Sequence, residues 1–452
     1  MTKGINTREL ILGILLEIQQ NDRQYGHILL RDVLEKYQYL DQQERAFMKR
    51  VTEGTIENRI LLDYIIDLFS KTKTVKMKPV ILCILRMSVY QLFFMDSVPA
   101  SAVCNEAVKL AEKKKFHNLK GFVNGVLRNI ERNKTQIQYP DVKKQPRQYL
   151  SVTCSMPEWI VDKWITEYGF DRTEKMLRSF LQSSRTTIRC NQSRVSPAEL
   201  EQQLEQEHVK VTKLPYPEGA YEISEYDYLG SLQSFRQGLF QVQDVSSMLI
   251  GEIADVKLGN HVIDVCAAPG GKAICIADQL QGTGHVEARD LSESKTQLIK
   301  DNIKRCQFNH IETVIQDALV YDESSKGKAD ILIADLPCSG LGVIGRKSDI
   351  KYHISAQQSS ALAALQRDIL NIVQDYVKPG GTLIYSTCTV NQEENVDNLM
   401  WFVNHYSYQL DSIDPYLSEE LHSHTTKQGY LQLLPGEHDT DGFFMARLIR
   451  NQ

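Results

Sequence analysis

The chain has 452 residues, 42% hydrophobic and 24% charged, with a formal net charge of −5; this composition is ordinary for a globular protein, and the length allows two or three domains of roughly 150 residues each. Its most apolar stretch, 79–95, contains Arg86 and Gln91 and is shorter than the roughly 20 residues a membrane span needs, so it predicts a buried core helix. Nine cysteines, an odd number with no Cys-x-x-Cys spacing, argue against a disulfide framework and a zinc site. Free thiols point to a reducing, cytoplasmic compartment, and no signal peptide is recognised at the front of the chain. Residues 1–150 carry 25 Lys and Arg against 16 Asp and Glu, and the remainder 27 against 41. A basic front end on an acidic body suggests a polyanionic partner, the alternative being a solvated helical surface with none.

Residues 1–140 read as all-helical. Asn6 and Glu9 form an N-cap signature ahead of Ile11, Ile14, Leu15 and Ile18 on one face. Ile60, Leu61, Tyr64, Ile65 and Phe69 repeat the pattern, and Lys78-Pro79 opens a third helix with Pro in its first turn. Two clusters, Lys71, Lys73, Lys76 and Lys78, then Lys113, Lys114 and Lys115, can neutralise phosphates and release counterions. The stretch 97–130 carries Val98-Pro99, Asn105-Glu106-Ala107-Val108, Ala111 and Phe122-Val123-Asn124-Gly125-Val126-Leu127. On these residues it resembles the NusB-type RNA-binding domain, which implies a helical RNA-binding module.

Residues 141–150 are polar and, with Pro140, Lys143, Lys144 and Pro146, read as a linker. Beyond it the pattern predicts a helix over 158–168, a strand over 186–190, a helix over 197–205 and a strand over 209–214. This is a small α+β subdomain filling 141–235. From 236 to 452, short β-rich runs at 261–265, 285–288, 311–314, 330–334 and 382–385 are separated by helical stretches, notably 292–306 and 356–376. Such alternation predicts an α/β fold, a mostly parallel, Rossmann-like doubly wound sheet. Ligands on such sheets sit at the carboxyl ends of the strands.

The first of these strands runs into Asp264-Val265-Cys266-Ala267-Ala268-Pro269-Gly270-Gly271-Lys272. A strand, then small residues and paired glycines, then a helix lets a ligand approach the backbone closely. The string is neither the dinucleotide fingerprint nor a phosphate loop. The second strand ends at Asp290, where a carboxylate can accept ribose hydroxyls, and Asp317 follows the third. The alternative for each Asp is a helix N-cap, although Ser292 is available for that purpose after Asp290, and the cofactor reading is preferred for both. The fourth strand ends in Asp335-Leu336-Pro337-Cys338-Ser339-Gly340 and the fifth in Tyr385-Ser386-Thr387-Cys388-Thr389. A single cysteine in such a place is commonly a core thiol; two, each at the end of a core strand, are expected to converge over one crevice.

Together these strings closely resemble the RNA 5-methylcytosine methyltransferases. Ala273 stands where that family usually has Thr, Leu336 where it has Ala, and Ser348, within Arg346-Lys347-Ser348-Asp349-Ile350-Lys351, where Pro is common. Val242-Gln243-Asp244-Val245-Ser246-Ser247 and Asp441-Gly442-Phe443-Phe444-Met445-Ala446 extend the likeness over nearly the whole chain. With the NusB-like front end, the chain resembles the bacterial 16S ribosomal RNA cytosine-5 methyltransferases of the RsmB (Sun/Fmu) type. The resemblance implies S-adenosylmethionine as cofactor, bound by Cys266, Ala267, Ala268, Pro269, Gly270, Gly271 and Lys272 with Asp290, Asp317 and Asp335. It implies Cys388 as nucleophile, Cys338 as the residue assisting release, Asp335 against the cytosine ring and Lys272 reaching toward the base.

The chemistry suits a cysteine pair. Carbon 5 of cytosine is a poor nucleophile, and a thiolate added at carbon 6 makes it enamine-like, splitting one hard step into easier ones. The target base must leave any stack. The expected partner is 16S ribosomal RNA, free or partly assembled, with no membrane, no metal and a monomeric chain. Two other readings compete. A DNA cytosine methyltransferase uses the cysteine after Pro as nucleophile and needs none after Thr. A non-catalytic RNA-binding assembly factor would have no need of Cys338, Cys388 and Asp335 together.

Overall fold

The computed structural model describes residues 6–20, 26–182 and 185–452. They form two compact units, one of residues 1–182 with 346–354, the other of residues 183–345 with 355–452.

The first unit is helical. Helix Thr7–Gln20 starts where Asn6 accepts the backbone N–H of Glu9 at 3.2 Å. Helix Gln42–Glu57 is capped by Asp41, and Arg59–Phe69 follows Asn58 directly. Pro79 sits at the start of helix Pro79–Phe94, where its missing N–H costs nothing. That helix is the expected core helix: Ile81, Leu82, Ile84, Leu85, Met87 and Val89 are all buried. Ala100–Lys113 and Lys120–Arg132 pack beside it through Cys104, Ala107, Val123, Leu127 and Ile130. Arg86 makes a two-pronged ion pair with Asp63, both contacts 2.7 Å, which satisfies a charge in an otherwise apolar wall. No helix among the described residues is long and apolar enough to cross a membrane.

The linker expected at 141–150 is corrected in part. Pro146 opens helix Pro146–Thr153, and Leu150, Ser151 and Val152 are buried. Residues 346–354 also belong to this unit: Asp349 accepts the Gly26 N–H at 2.5 Å, Lys351 donates to the Glu57 carbonyl at 2.9 Å, and the Arg59 guanidinium lies 3.6 Å from the Tyr352 ring centre. Burial pushes the Lys351 ammonium down to about 8, against the pull of Glu57.

The second unit contains two sheets. The smaller has strands β1 (Thr186–Cys190), β2 (Lys210–Lys213), β3 (Ala220–Ser224) and β4 (Phe240–Val242) in the order β2-β3-β1-β4, all antiparallel, with helix Pro197–Gln206 between β1 and β2. β3 and β4 were not anticipated from the sequence. The larger comprises β5 (His261–Asp264), β6 (His285–Asp290), β7 (Ile311–Ile315), β8 (Ala329–Asp335), β9 (Val377–Thr387), β10 (Tyr408–Leu410), β11 (Tyr430–Leu433) and β12 (Phe443–Arg450). Their order is β10-β12-β9-β8-β5-β6-β7, with β11 also paired to β12. β9, β8, β5, β6 and β7 are parallel; β12 runs antiparallel to β9.

The fold class is therefore the expected Rossmann-like doubly wound sheet. Val262, Ile263, Val286, Ala288, Ile331, Leu332, Ile333, Leu383 and Ile384 are buried, the near-continuous apolar pattern of strands covered on both faces. Strand order reverses between β5 and β8, so the crevice of such a fold opens between the loops that leave these two strands. The smaller sheet is tied to helix Gly271–Leu280, which follows β5, by a buried ion pair, Arg189 to Asp278 at 2.7 Å, and Asp278 also accepts the N–H groups of Gln192 and Ser193.

Candidate active site

β5 delivers Asp264 and then the loop of Cys266, Ala267, Ala268, Pro269 and Gly270, which enters helix Gly271–Leu280. Gly270 has φ +102°, and a Cβ there would meet the Ile299 side chain at 3.3 Å; glycine takes that backbone without strain. The loop is held from inside the sheet. Ala267 N–H donates to the Arg289 carbonyl at 2.8 Å, and Ala268 N–H donates to Asp290 Oδ2 at 3.0 Å.

Asp290 ends β6 and is buried. Its Oδ1 accepts the Leu291 N–H at 2.8 Å and lies 3.1 Å from Lys295 Nζ. Ser292, not Asp290, caps helix Glu293–Cys306. Asp317 follows β7 and accepts the Leu319 N–H at 2.9 Å, closing a turn and not a helix. Between them Gln316 N–H donates to the Asp290 carbonyl at 3.0 Å, so the two strand ends are tied together.

β8 ends at Asp335. Lys272 Nζ donates to Asp335 Oδ2 at 2.6 Å, and Ser386 Oγ donates to Oδ1 at 2.8 Å. Burial works against the charge on Lys272, but Asp335, then Asp264 and Cys388, more than offset it and raise its pKa. The ammonium also lies 5.3 Å from the Phe443 ring centre, a favourable place for a cation. Asp264, fully buried beside this pair, has one oxygen without a hydrogen-bond partner. Burial, then the charge of Asp335, pushes its carboxyl up to about 7, against the pull of Lys272.

Cys338 and Cys388, half-buried, bring their sulfurs to 3.3 Å. The contact with Cys388, then burial, holds the Cys338 thiol well above the ordinary range, with the charge of Glu394 adding to it. The loops carrying them touch through backbone: Gly342 N–H donates to the Cys388 carbonyl at 3.0 Å, and Gly442 N–H to the Gly342 carbonyl at 2.9 Å. Leu336 is buried beneath, its N–H on the Ser386 carbonyl at 3.1 Å.

Lys272, Asp335, Cys338 and Cys388, named from the motifs, thus gather at the carboxyl ends of β5, β8 and β9, with Asp290 and Asp317 across the switch point at the ends of β6 and β7. Sequence reasoning passed over Asp264, Ser386, Glu394 and Asn395. Asp264 and Ser386 lay within the quoted motifs, at strand ends, and could have been found from that position. Nothing in spacing or periodicity marks Glu394 and Asn395.

Family models agree with this architecture. The model described as 16S rRNA methyltransferase RsmB/F matches residues 253–449, the NusB family residues 5–132, and the RsmF/B-like ferredoxin-like domain residues 156–225. The chain is 35% identical over 449 residues to the probable ribosomal RNA small subunit methyltransferase B of Bacillus subtilis (strain 168), covering 99% of each chain. It is 32% identical over 279 residues to ribosomal RNA small subunit methyltransferase F of Escherichia coli (strain SMS-3-5 / SECEC), covering 59% of this chain and 57% of that one. The crystal structure of PH0851 shares the fold at TM-score 0.81 and 23% identity, over 98% of this chain and 99% of that one. NSun6 from Pyrococcus horikoshii with SFG does so at TM-score 0.56 and 20% identity, over 70% and 99%. With a relative this similar along its full length, the chain belongs to the 16S rRNA methyltransferase RsmB/F family of S-adenosylmethionine-dependent rRNA methyltransferases.

Proposed function

We propose that this enzyme methylates carbon 5 of a cytosine in 16S ribosomal RNA through a covalent bond between Cys388 and carbon 6 of the base. The observation that supports this reading is the pair of strand-end cysteines, sulfurs 3.3 Å apart, beside the Lys272–Asp335 ion pair. A lone methyl transfer to an amino or hydroxyl group has no use for two such thiols.

The loop 266–271 with Lys272, Asp290, Asp317 and Asp335 would hold the cofactor. The open space beside Gly271 and the unpartnered oxygen of Asp264 fit a polar ligand with an ammonium group. S-adenosylmethionine, when bound, supplies a methyl group on a positively charged sulfur. Cys388 as thiolate attacks carbon 6, forming the C–S bond and moving the double-bond electrons onto carbon 5, which takes up the methyl group. Asp335, fixed by Lys272 and Ser386, orients the ring through its nitrogen edge. Once Cys388 is a neutral thioether, the charge that disfavoured ionisation of Cys338 is gone. Cys338 then gives its own proton to solvent and, as thiolate, accepts the proton leaving carbon 5; the electrons of that C–H bond restore the double bond between carbons 5 and 6, and the C–S bond breaks to return the Cys388 thiolate.

We place the RNA-binding helical part at 1–140, the linker with the small α+β subdomain at 141–235 and the catalytic part at 236–452, with the matched ranges 5–132, 156–225 and 253–449 in support. The deciding experiment is denaturing gel electrophoresis of variants incubated with ribosomal RNA and cofactor. Cys388→Ala is expected to abolish turnover without an adduct, and Cys338→Ala to accumulate a covalent protein–RNA complex. An adduct with Cys388→Ala instead reverses the roles, and full activity in both variants removes the cysteines from the mechanism.

A further inference from the structure

Glu394 is completely buried, yet it follows the Cys388 loop in a polar stretch, Asn391-Gln392-Glu393-Glu394-Asn395. Its two carboxylate oxygens take five hydrogen bonds. Oε2 accepts the Ser339 N–H at 2.9 Å and Gln366 Nε2 at 3.1 Å; Oε1 accepts Ser339 Oγ at 2.5 Å, Asn391 Nδ2 at 2.9 Å and Ser359 Oγ at 3.2 Å. All five donors are neutral amide or hydroxyl groups. A buried carboxyl group is costly to leave without partners, and a network that satisfies it this fully holds its members in one arrangement.

What it positions is legible in the partners. Ser339 follows Cys338 directly. Gln366, held by Glu394, also donates to the carbonyl of Pro337, which precedes Cys338, at 2.9 Å. The next residue, Asn395, does the same for the other cysteine. Its Oδ1 accepts Thr387 Oγ at 2.5 Å, and its Nδ2 donates to the Thr389 carbonyl at 3.0 Å, on either side of Cys388. The two loops are further joined by Ser339 Oγ and Thr389 Oγ at 2.8 Å.

We propose that Glu394 and Asn395 are positioning residues that brace the backbone on both sides of Cys338 and Cys388, fix the separation of the two sulfurs, and set the Glu394 carboxyl group against Cys338. The titratable groups facing Cys338 are Cys388, Glu394 and Tyr385, whose hydroxyl bonds Gln366 at 3.1 Å and the Glu394 carbonyl. Of these, Cys388 and Glu394 both act to raise the Cys338 thiol. The inference rests on the roles proposed above for the two cysteines, but its main readout does not.

The test is site-resolved alkylation of the full-length protein by iodoacetamide across pH, followed by mass spectrometry of the peptides bearing Cys338 and Cys388. In the native protein Cys388 is expected to react at lower pH. In Glu394→Gln the Cys338 inflection should fall by about one pH unit, about tenfold faster reaction at a given pH below it, with cofactor affinity unchanged by calorimetry. An unmoved Cys338 profile with intact cofactor affinity overturns the proposal, whatever happens to turnover. If neither cysteine forms an RNA adduct but the profile still moves, the covalent reading fails and the brace stands. Should Glu394→Gln lose cofactor binding, Asn395→Ala carries the test. It should lower kcat about a hundredfold at unchanged KM for RNA, the cost of misplacing a reacting group by about 1 Å; an unchanged kcat overturns the proposal.

Discussion

The carboxylate of Asp290 accepts the backbone N–H of Ala268 at 3.0 Å, so the residue that ends β6 fastens the loop that leaves β5. Asp290 therefore has two ways to serve the cofactor: holding the loop, and offering its acceptors to a ribose. Asp290→Ala removes both. Losing a charge-assisted hydrogen bond of about 1.5–3 kcal/mol predicts S-adenosylmethionine affinity lower by about 10- to 100-fold. Calorimetry reads this directly, and unchanged affinity takes Asp290 out of the site.

The two basic clusters differ in the structure. Lys113 and Lys114 both pair with Glu9, at 2.5 and 3.4 Å, which spends part of their charge inside the domain. Lys71, Lys73, Lys76 and Lys78 are all exposed around the short turn Thr74–Lys76. If the front end binds ribosomal RNA, replacing these four by Ala should weaken binding. The slope of log affinity against log salt should become shallower by about 0.7–0.9 for each phosphate that the variant leaves unneutralised. The same slope in native and variant protein would show that this cluster does not meet RNA.

The strand ends were legible because the parallel strands are short apolar runs closed by residues of another kind, Asp264, Asp290, Asp335 and the cysteines, and the switch point follows from strand order. The helix Pro146–Thr153 was hidden by the surrounding Lys143, Lys144 and Arg147, and by an apolar side of only Leu150 and Val152. β4 has three residues, Phe240–Val242, too few to show a period of two. Glu394 stands in a polar stretch with nothing local to separate it from a surface acid; only the fold brings Ser339, Ser359 and Gln366 around it. Buried polar networks assembled from distant segments leave no local signature in a sequence.

At Gly342 the Cys338 loop meets the backbone of the Cys388 loop and of Gly442. A methyl group there would lie 1.8 Å from the Gly442 carbonyl oxygen and 2.8 Å from that of Cys388. Backbone on both sides leaves nowhere to go, so Gly342→Ala must push the loops apart. Turnover should fall about a hundredfold, while cofactor affinity, for which the proposed residues are the 266–272 loop, Asp290, Asp317 and Asp335, is retained. A variant with native turnover would mean that the approach of these loops is irrelevant to the chemistry.

Asp264 makes stability itself a readout of the site. Burial, with Asp335 and Asp290 adding to it, pushes its carboxyl from 3.8 up to about 7, although Lys272 and the Cys266 N–H pull the other way. The folded chain therefore keeps a proton that the unfolded chain gives up near pH 3.8. Across that interval the folded state binds more protons, so stability falls as pH rises. The contribution is complete below about pH 3.8 and is lost as pH passes about 7. Asp264→Asn cannot ionise and has no such dependence. In urea unfolding, the variant should gain on the native protein steadily from about pH 4 to about pH 7. The fixed cost of the amide drops out, because only the change of the difference with pH is read. A difference that stays constant over the window would mean that Asp264 is already ionised at low pH in the fold, and that the Lys272–Asp335 pair does not confine a neutral acid beside the proposed cofactor loop.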